Sequence, residues 1–95
     1  MAAKHGVIGL SKAAAIEYAG KGIRINAIAP GLVETAMTRH WFDDPNIRSH
    51  FLANSPIGRF AQPEEIADTV LFLCSDFASF AVGQTFAIDG GYTAR

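Results

Sequence analysis

Apolar residues recur at helical spacing along residues 2–19, in three separate rows. Ala3, Val7, Leu10 and Ala14 form one row; Ile8 with Ala15, and Ala13 with Ile16, form two more. A helix apolar on several faces is usually covered on more than one of them. Gly6, Gly9 and Ala13 keep one face thin, so a second backbone can approach there. The pattern predicts a helix over 1–21, closed by Gly20-Lys21-Gly22. Ile23 to Ala29 then alternates apolar and other residues, which predicts a mostly buried strand at 23–29, stopped by Pro30-Gly31.

The spacing is less regular over 36–54. It predicts two short helices, around Ala36–Phe42 and Asn46–Ala53, broken at Asp43-Asp44-Pro45. Gln62-Pro63-Glu64-Glu65 opens a helix over 63–75, with Pro in its first turn and two acids at the positive end of its dipole. Its wide apolar face holds Ile66, Val70 and Leu73, flanked by Ala67, Leu71 and Cys74. A short strand at 84–88 closes at Asp89-Gly90-Gly91. Helices and strands alternating at these lengths indicate an α/β fold with a parallel pair of strands. Two strands make a poor sheet on their own, so the remainder of the sheet is expected from elsewhere. The 95 residues are read as one partial domain.

Composition narrows the function classes. At 49% hydrophobic and 18% charged, the chain is too apolar for disorder and too interrupted for a membrane span. The net charge of −1 leaves no basic stripe for phosphates, so nucleic acid is not an expected ligand. The single cysteine, Cys74, excludes an intrachain disulfide. It fits a reducing, cytoplasmic setting and reads as a small buried hydrophobe. His40 and His50 lack a carboxylate or cysteine at ligand spacing, so no metal site is expected. Glu64-Glu65 read as helix-start acids, and no serine has a base and orienter beside it.

Four segments carry a resemblance. They are Lys4-x-Gly6-Val7-x-Gly9-Leu10-x-Lys12; Ile23-Arg24-Ile25-Asn26-Ala27-Ile28-Ala29-Pro30-Gly31-x-Val33-x-Thr35; Gly58-Arg59 with Pro63-Glu64-Glu65-Ile66-Ala67; and Gly83-Gln84 with Ile88-Asp89-Gly90-Gly91. In that order and spacing they resemble the C-terminal portion of a short-chain dehydrogenase/reductase, a tyrosine-dependent oxidoreductase of alcohols and ketones. The resemblance implies the C-terminal fragment of a Rossmann-fold, three-layer α/β/α domain, with NAD or NADP as cofactor.

Lys4 matches the lysine of the family's Tyr-x-x-x-Lys signature, which implies contact with the nicotinamide ribose and a neighbouring tyrosine one position before Met1. A fixed ammonium there favours the ionised tyrosine, which otherwise titrates near about 10. Pro30, Gly31, Val33 and Thr35 match the loop that covers the cofactor at the carboxyl end of a strand. Gly31 lets a ring or phosphate approach the backbone, Val33 offers backbone groups to the carboxamide, and the Thr35 hydroxyl reaches the carboxamide or pyrophosphate. Thr35 reads equally as a helix cap. Met37, His40, Trp41, Phe42 and Phe51 fall in the substrate lid, or else pack the short helices onto the body.

The Gly-rich pyrophosphate turn and the catalytic asparagine, serine and tyrosine are not among these 95 residues. The chain alone is therefore expected to bind cofactor very weakly or not at all, and to be inactive. The alternative is a non-catalytic α/β module that self-associates or pairs with an intact dehydrogenase. Its dimer would join residues 63–75 and 84–88 to their symmetry mates, with the strands antiparallel, completing the sheet.

Overall fold

The computed structural model describes residues 2–94. Two compact units share the chain: residues up to Ala29 with Thr69–Phe86, and Pro30–Asp68 with the residues from Ala87 on. In the first unit, helix α1 runs Ala2–Ala19. Its inward row is Ile8, Ser11 and Ala15, with Ala15 fully buried. The row expected from Val7 and Leu10 lies exposed instead. Alanine and glycine on neighbouring rows give α1 little preference for one apolar face, so spacing alone did not select it. The helix ends where Gly22 takes φ 82°. There the Gly22 N–H donates to Ala19 O at 3.2 Å and the Ile23 N–H to Tyr18 O at 3.3 Å, a paired closure that favours glycine.

The strand expected at 23–29 is shorter, and β1 covers Ala27–Pro30. Its parallel partner β2, expected at 84–88, covers Thr85–Ile88. A four-residue partner limits the ladder. Ala27 N–H donates to Gln84 O at 2.9 Å and Gly31 N–H to Ile88 O at 3.1 Å, one bond at each end. The residues before β1 are held mainly by side chains. Alternation puts Arg24 and Asn26 on one face. The Arg24 guanidinium donates to three carbonyl oxygens, Leu73 at 2.9 Å, Ala78 at 2.7 Å and Ser75 at 3.0 Å. Asn26 donates to Ala81 O at 2.9 Å and accepts from the Gln84 N–H at 3.1 Å. These two polar residues thus fasten the whole connection from helix to strand.

In the second unit, α2 (Ala36–Phe42) and α3 (Pro45–Leu52) pack on an aromatic centre. Asp44 caps α3, accepting from the Asn46 N–H at 2.9 Å, with Pro45 at the first helical position. Phe60, 2% exposed, stacks on Phe42 at 4.1 Å between centroids. Phe51 meets Phe42 edge-on at 5.5 Å, and the Arg48 guanidinium sits 4.8 Å over the Phe60 ring.

Helix α4 spans Pro63–Leu73, two residues short of the expected end. Ser75 opens a new 3-10 turn at Asp76–Ala78, its hydroxyl accepting from the Phe77 N–H. Cys74, just past the helix, is exposed rather than buried; the inward row Ile66, Thr69 and Leu73 passes it by. At the other end the Glu65 carboxylate takes both Arg59 guanidinium nitrogens, at 2.7 and 2.9 Å, and the Gln62 N–H at 2.9 Å. The Arg59 bonds, then the Gln62 N–H, lower the Glu65 carboxyl from 4.5 to about 2.

A depressed carboxyl stabilises the fold above its unfolded value, and that contribution fades as pH falls from 4.5 toward 2. Because the pair is exposed, salt weakens it. Glu65→Gln is therefore expected to flatten part of the fall in melting temperature between pH 4.5 and 2. Melting curves at low salt check this; an unchanged slope would contradict it. Among the described residues no helix is long and apolar enough to cross a membrane.

Candidate cofactor and substrate site

The chain leaves the carboxyl end of β1 through Pro30 and Gly31. Gly31 is required by close approach: a Cβ there would stand 2.8 Å from Asp89 Cα and 2.9 Å from Asp89 Cβ. The space left by the missing side chain is thus taken up by the residue that leaves β2. Asp89 is itself fixed, accepting from the Thr93 hydroxyl at 2.7 Å, the Gly91 N–H at 3.0 Å and the Thr93 N–H at 3.2 Å. The Thr93 hydroxyl leads the groups that hold its carboxyl below the usual range.

Beyond Gly31 the backbone forms a single parallel bridge between Val33 and Ala61. Ala61 N–H donates to Leu32 O at 2.9 Å, and Glu34 N–H donates to Ala61 O at 2.9 Å. In an extended chain, successive peptide groups point to opposite sides. The bridge uses Leu32 and Glu34, so the Val33 N–H and C=O face the other way. Among the described residues the Val33 N–H meets no acceptor. The Val33 C=O has one long bond, from the Thr38 hydroxyl at 3.3 Å. A free donor beside a half-used acceptor on one edge matches a primary carboxamide, which offers one C=O and one NH2. These residues therefore fit a nicotinamide carboxamide.

Thr35 is the N-cap of α2. Its hydroxyl accepts from the Thr38 N–H at 3.3 Å and shares a proton with the Thr38 hydroxyl at 3.1 Å. Capping leaves it a proton or a lone pair for a ligand. Glu34 turns outward to Arg39 at 3.9 Å and Gln62 at 3.3 Å. Thr38 is a residue that sequence reading passed over. Its position three beyond a threonine cap was a usable signal, because it occupies the reciprocal place of a capping box.

The five lid candidates separate. Phe42 is 5% exposed and belongs to the aromatic centre with Phe60, while Phe51 lies against its edge. Met37 and Trp41, one turn apart on α2, are 74% and 53% exposed; His40 is exposed beside Trp41, its ring edge-on at 5.8 Å. Phe42 and Phe51 thus pack the two short helices together, and Met37, His40 and Trp41 are left on the open face. Pro30, Val33, Thr35 and all five lid candidates lie in one unit. Lys4 lies in the other, exposed in the first turn of α1, with no hydrogen bond or ion pair to its ammonium among the described residues.

Known proteins match this arrangement along its length. A family model described as enoyl-(acyl carrier protein) reductase matches residues 1–93. The cyclohexanol dehydrogenase of an Acinetobacter species is 50% identical over 95 residues, all of this chain and 36% of the relative. The 3-oxoacyl-(acyl-carrier-protein) reductase of Thermotoga maritima is 49% identical over 90 residues, 95% of this chain and 36% of its own. The chain thus spans little more than a third of the curated relatives it matches. Among solved structures, a 4-hydroxyisoleucine dehydrogenase complexed with NADH superposes with TM-score 0.94 at 37% identity, over 99% of this chain and 39% of that one. A short-chain type dehydrogenase/reductase from Mycobacterium ulcerans superposes with TM-score 0.91 at 34% identity, over 97% and 34%. With the Lys4 helix, the Pro-Gly loop and the parallel β1–β2 pair all falling within these matches, the chain belongs to the short-chain dehydrogenase/reductase family of Rossmann-fold oxidoreductases.

Proposed function

We propose that these residues form the part of an NAD- or NADP-dependent oxidoreductase of alcohols and ketones that covers the nicotinamide and the substrate. The unmet Val33 N–H beside its lightly used C=O carries the reading. When bound, the nicotinamide supplies hydride chemistry. Val33 holds the carboxamide, Thr35 adds a hydroxyl, and Pro30 and Gly31 shape the turn that presents both. Lys4 contacts the ribose, by its place in the family's signature. Met37, His40 and Trp41 exclude water over the reacting carbon.

Taken as a separate polypeptide, the 95 residues bind cofactor only in the millimolar range and give no turnover. A spectrophotometric assay with NADH and NADPH against linear and cyclic ketones is expected to stay at the blank. Substrate-dependent loss of nicotinamide absorbance would overturn that expectation.

A second reading, self-association, is supported by the apolar surface of α4 and the segment after it. Leu71 and Phe72 are exposed there, and Phe80 is fully so. β2 has β1 on one side and no strand on the other among the described residues. A dimer through residues 63–75, with residues 84–88 antiparallel to their mates, would cover both features. Sedimentation at micromolar concentration is expected to give twice the chain mass of 10.2 kDa. A strictly monomeric boundary would remove this reading.

A further inference from the structure

We infer that Thr38 is a positioning residue for the carboxamide seat, acting through Val33 and Thr35; the inference rests on the Val33 reading above. One hydroxyl gathers the polar groups on which that seat depends. Thr38 Oγ1 accepts from the Thr35 N–H at 3.0 Å. Its proton has three acceptors in reach: Thr35 Oγ1 at 3.1 Å, Val33 O at 3.3 Å and Thr35 O at 3.4 Å. A hydroxyl has one proton and two lone pairs, so it serves one of these at a time. Directed at Val33 O, it uses one lone pair, fixes the peptide plane and leaves the second lone pair for an incoming N–H. Directed at Thr35 Oγ1, it frees the Thr35 proton for a ligand. The two settings answer the two groups of a carboxamide, an NH2 that donates and an oxygen that accepts.

Thr38 also sits in the first turn of α2, whose outer face carries Met37, His40 and Trp41. The residue that orients the cofactor-facing backbone is therefore one residue from the open face of the lid. A shift of the Thr38 proton on cofactor binding would be felt by both.

The test pairs two substitutions with two probes. Thr38→Val keeps the branched shape and the backbone cap but loses the hydroxyl; Thr38→Ser restores it. The probes are reduced nicotinamide mononucleotide and its 3-acetylpyridine counterpart, in which a methyl replaces the NH2. Binding to the 15N-labelled chain is followed by NMR at the Val33 and Thr35 amides in the millimolar range.

The unaltered chain is expected to favour the carboxamide probe about three- to tenfold, the worth of one net hydrogen bond. Thr38→Val is expected to bring that ratio close to one, and Thr38→Ser to bring it back. Loss of helix stability alone would weaken both probes equally and leave the ratio standing, which would overturn the positioning role. An unaltered chain that does not distinguish the probes would instead overturn the Val33 seat, and the role of Thr38 with it.

Discussion

Replacing Arg24 by methionine is expected to destabilise the first unit by about 3 kcal/mol or more, among the largest effects of any single change in the chain. A hydrogen bond to a charged group contributes about 1.5–3 kcal/mol, and Arg24 makes three, to Leu73, Ser75 and Ala78. Their sum is discounted because the guanidinium is only part-buried and water can replace some of the lost bonds. Methionine keeps the apolar stem, so packing loss is small and the polar contribution is isolated. The Leu73 carbonyl belongs to the last turn of α4, which needs partners outside the helix. Urea unfolding at neutral pH gives the free energy, and Arg24→Lys separates charge from geometry. A lysine is a single point donor and cannot span three carbonyls, so it is expected to recover less than half. Full recovery with lysine, or a loss below about 1 kcal/mol with methionine, would show that the three bonds are not a unit.

Phe60→Ala is expected to cost about 3–5 kcal/mol in the second unit, the usual range for a buried aromatic cut to alanine. Phe60 is 2% exposed, stacked on Phe42, with the Arg48 guanidinium over its ring. The stack beneath Phe42 and the cation above are lost together, and the gap falls under the C-terminal end of α2. Phe60→Leu, which refills most of the volume, is expected to cost about half as much. Because Phe42 fixes α2, near-ultraviolet dichroism should lose the aromatic signal before far-ultraviolet dichroism loses helix. Simultaneous loss of both signals would mean that α2 and the rest of the unit melt as one.

These residues also mark where the sequence was legible. The existence of the two strands and their flanking helices follows from periodicity and turn residues, because that information lies within a dozen residues, and the parallel pairing follows from their alternation along the chain. The Pro63 start of α4 and the Thr35 cap of α2 are equally local. Arg24 and Asn26 were visible as an alternating polar face, but their partners lie 49 to 58 residues away. Phe60 is a lone aromatic in a polar stretch and carries no periodic signal. Cys74 was misplaced because the inward row of α4 turns past it by one residue, a rotation that composition does not fix. Phe42 and Phe51 were grouped with Met37, His40 and Trp41 as lid residues, and only packing separates the anchors from the open face. Which way the Val33 N–H and C=O face, and with it the proposed carboxamide seat, depends on which side of the backbone Ala61 occupies, a fact of register that no single segment contains.

The bonds from Arg24 and Asn26 also set an order of events during synthesis. A ribosome adding about 5–20 residues each second needs roughly 3–12 s to pass from Asn26 to Gln84, its partner 58 residues on. Until Leu73 is added the nascent Ile23–Pro30 segment is largely apolar, and apart from Tyr18 behind Ile23 none of its later hydrogen-bonding partners has yet been made; the last of them follow only with Gln84 and β2. Shielding that segment until residue 84 emerges is then a task for the tunnel, for a chaperone, or for whatever strand reaches it first.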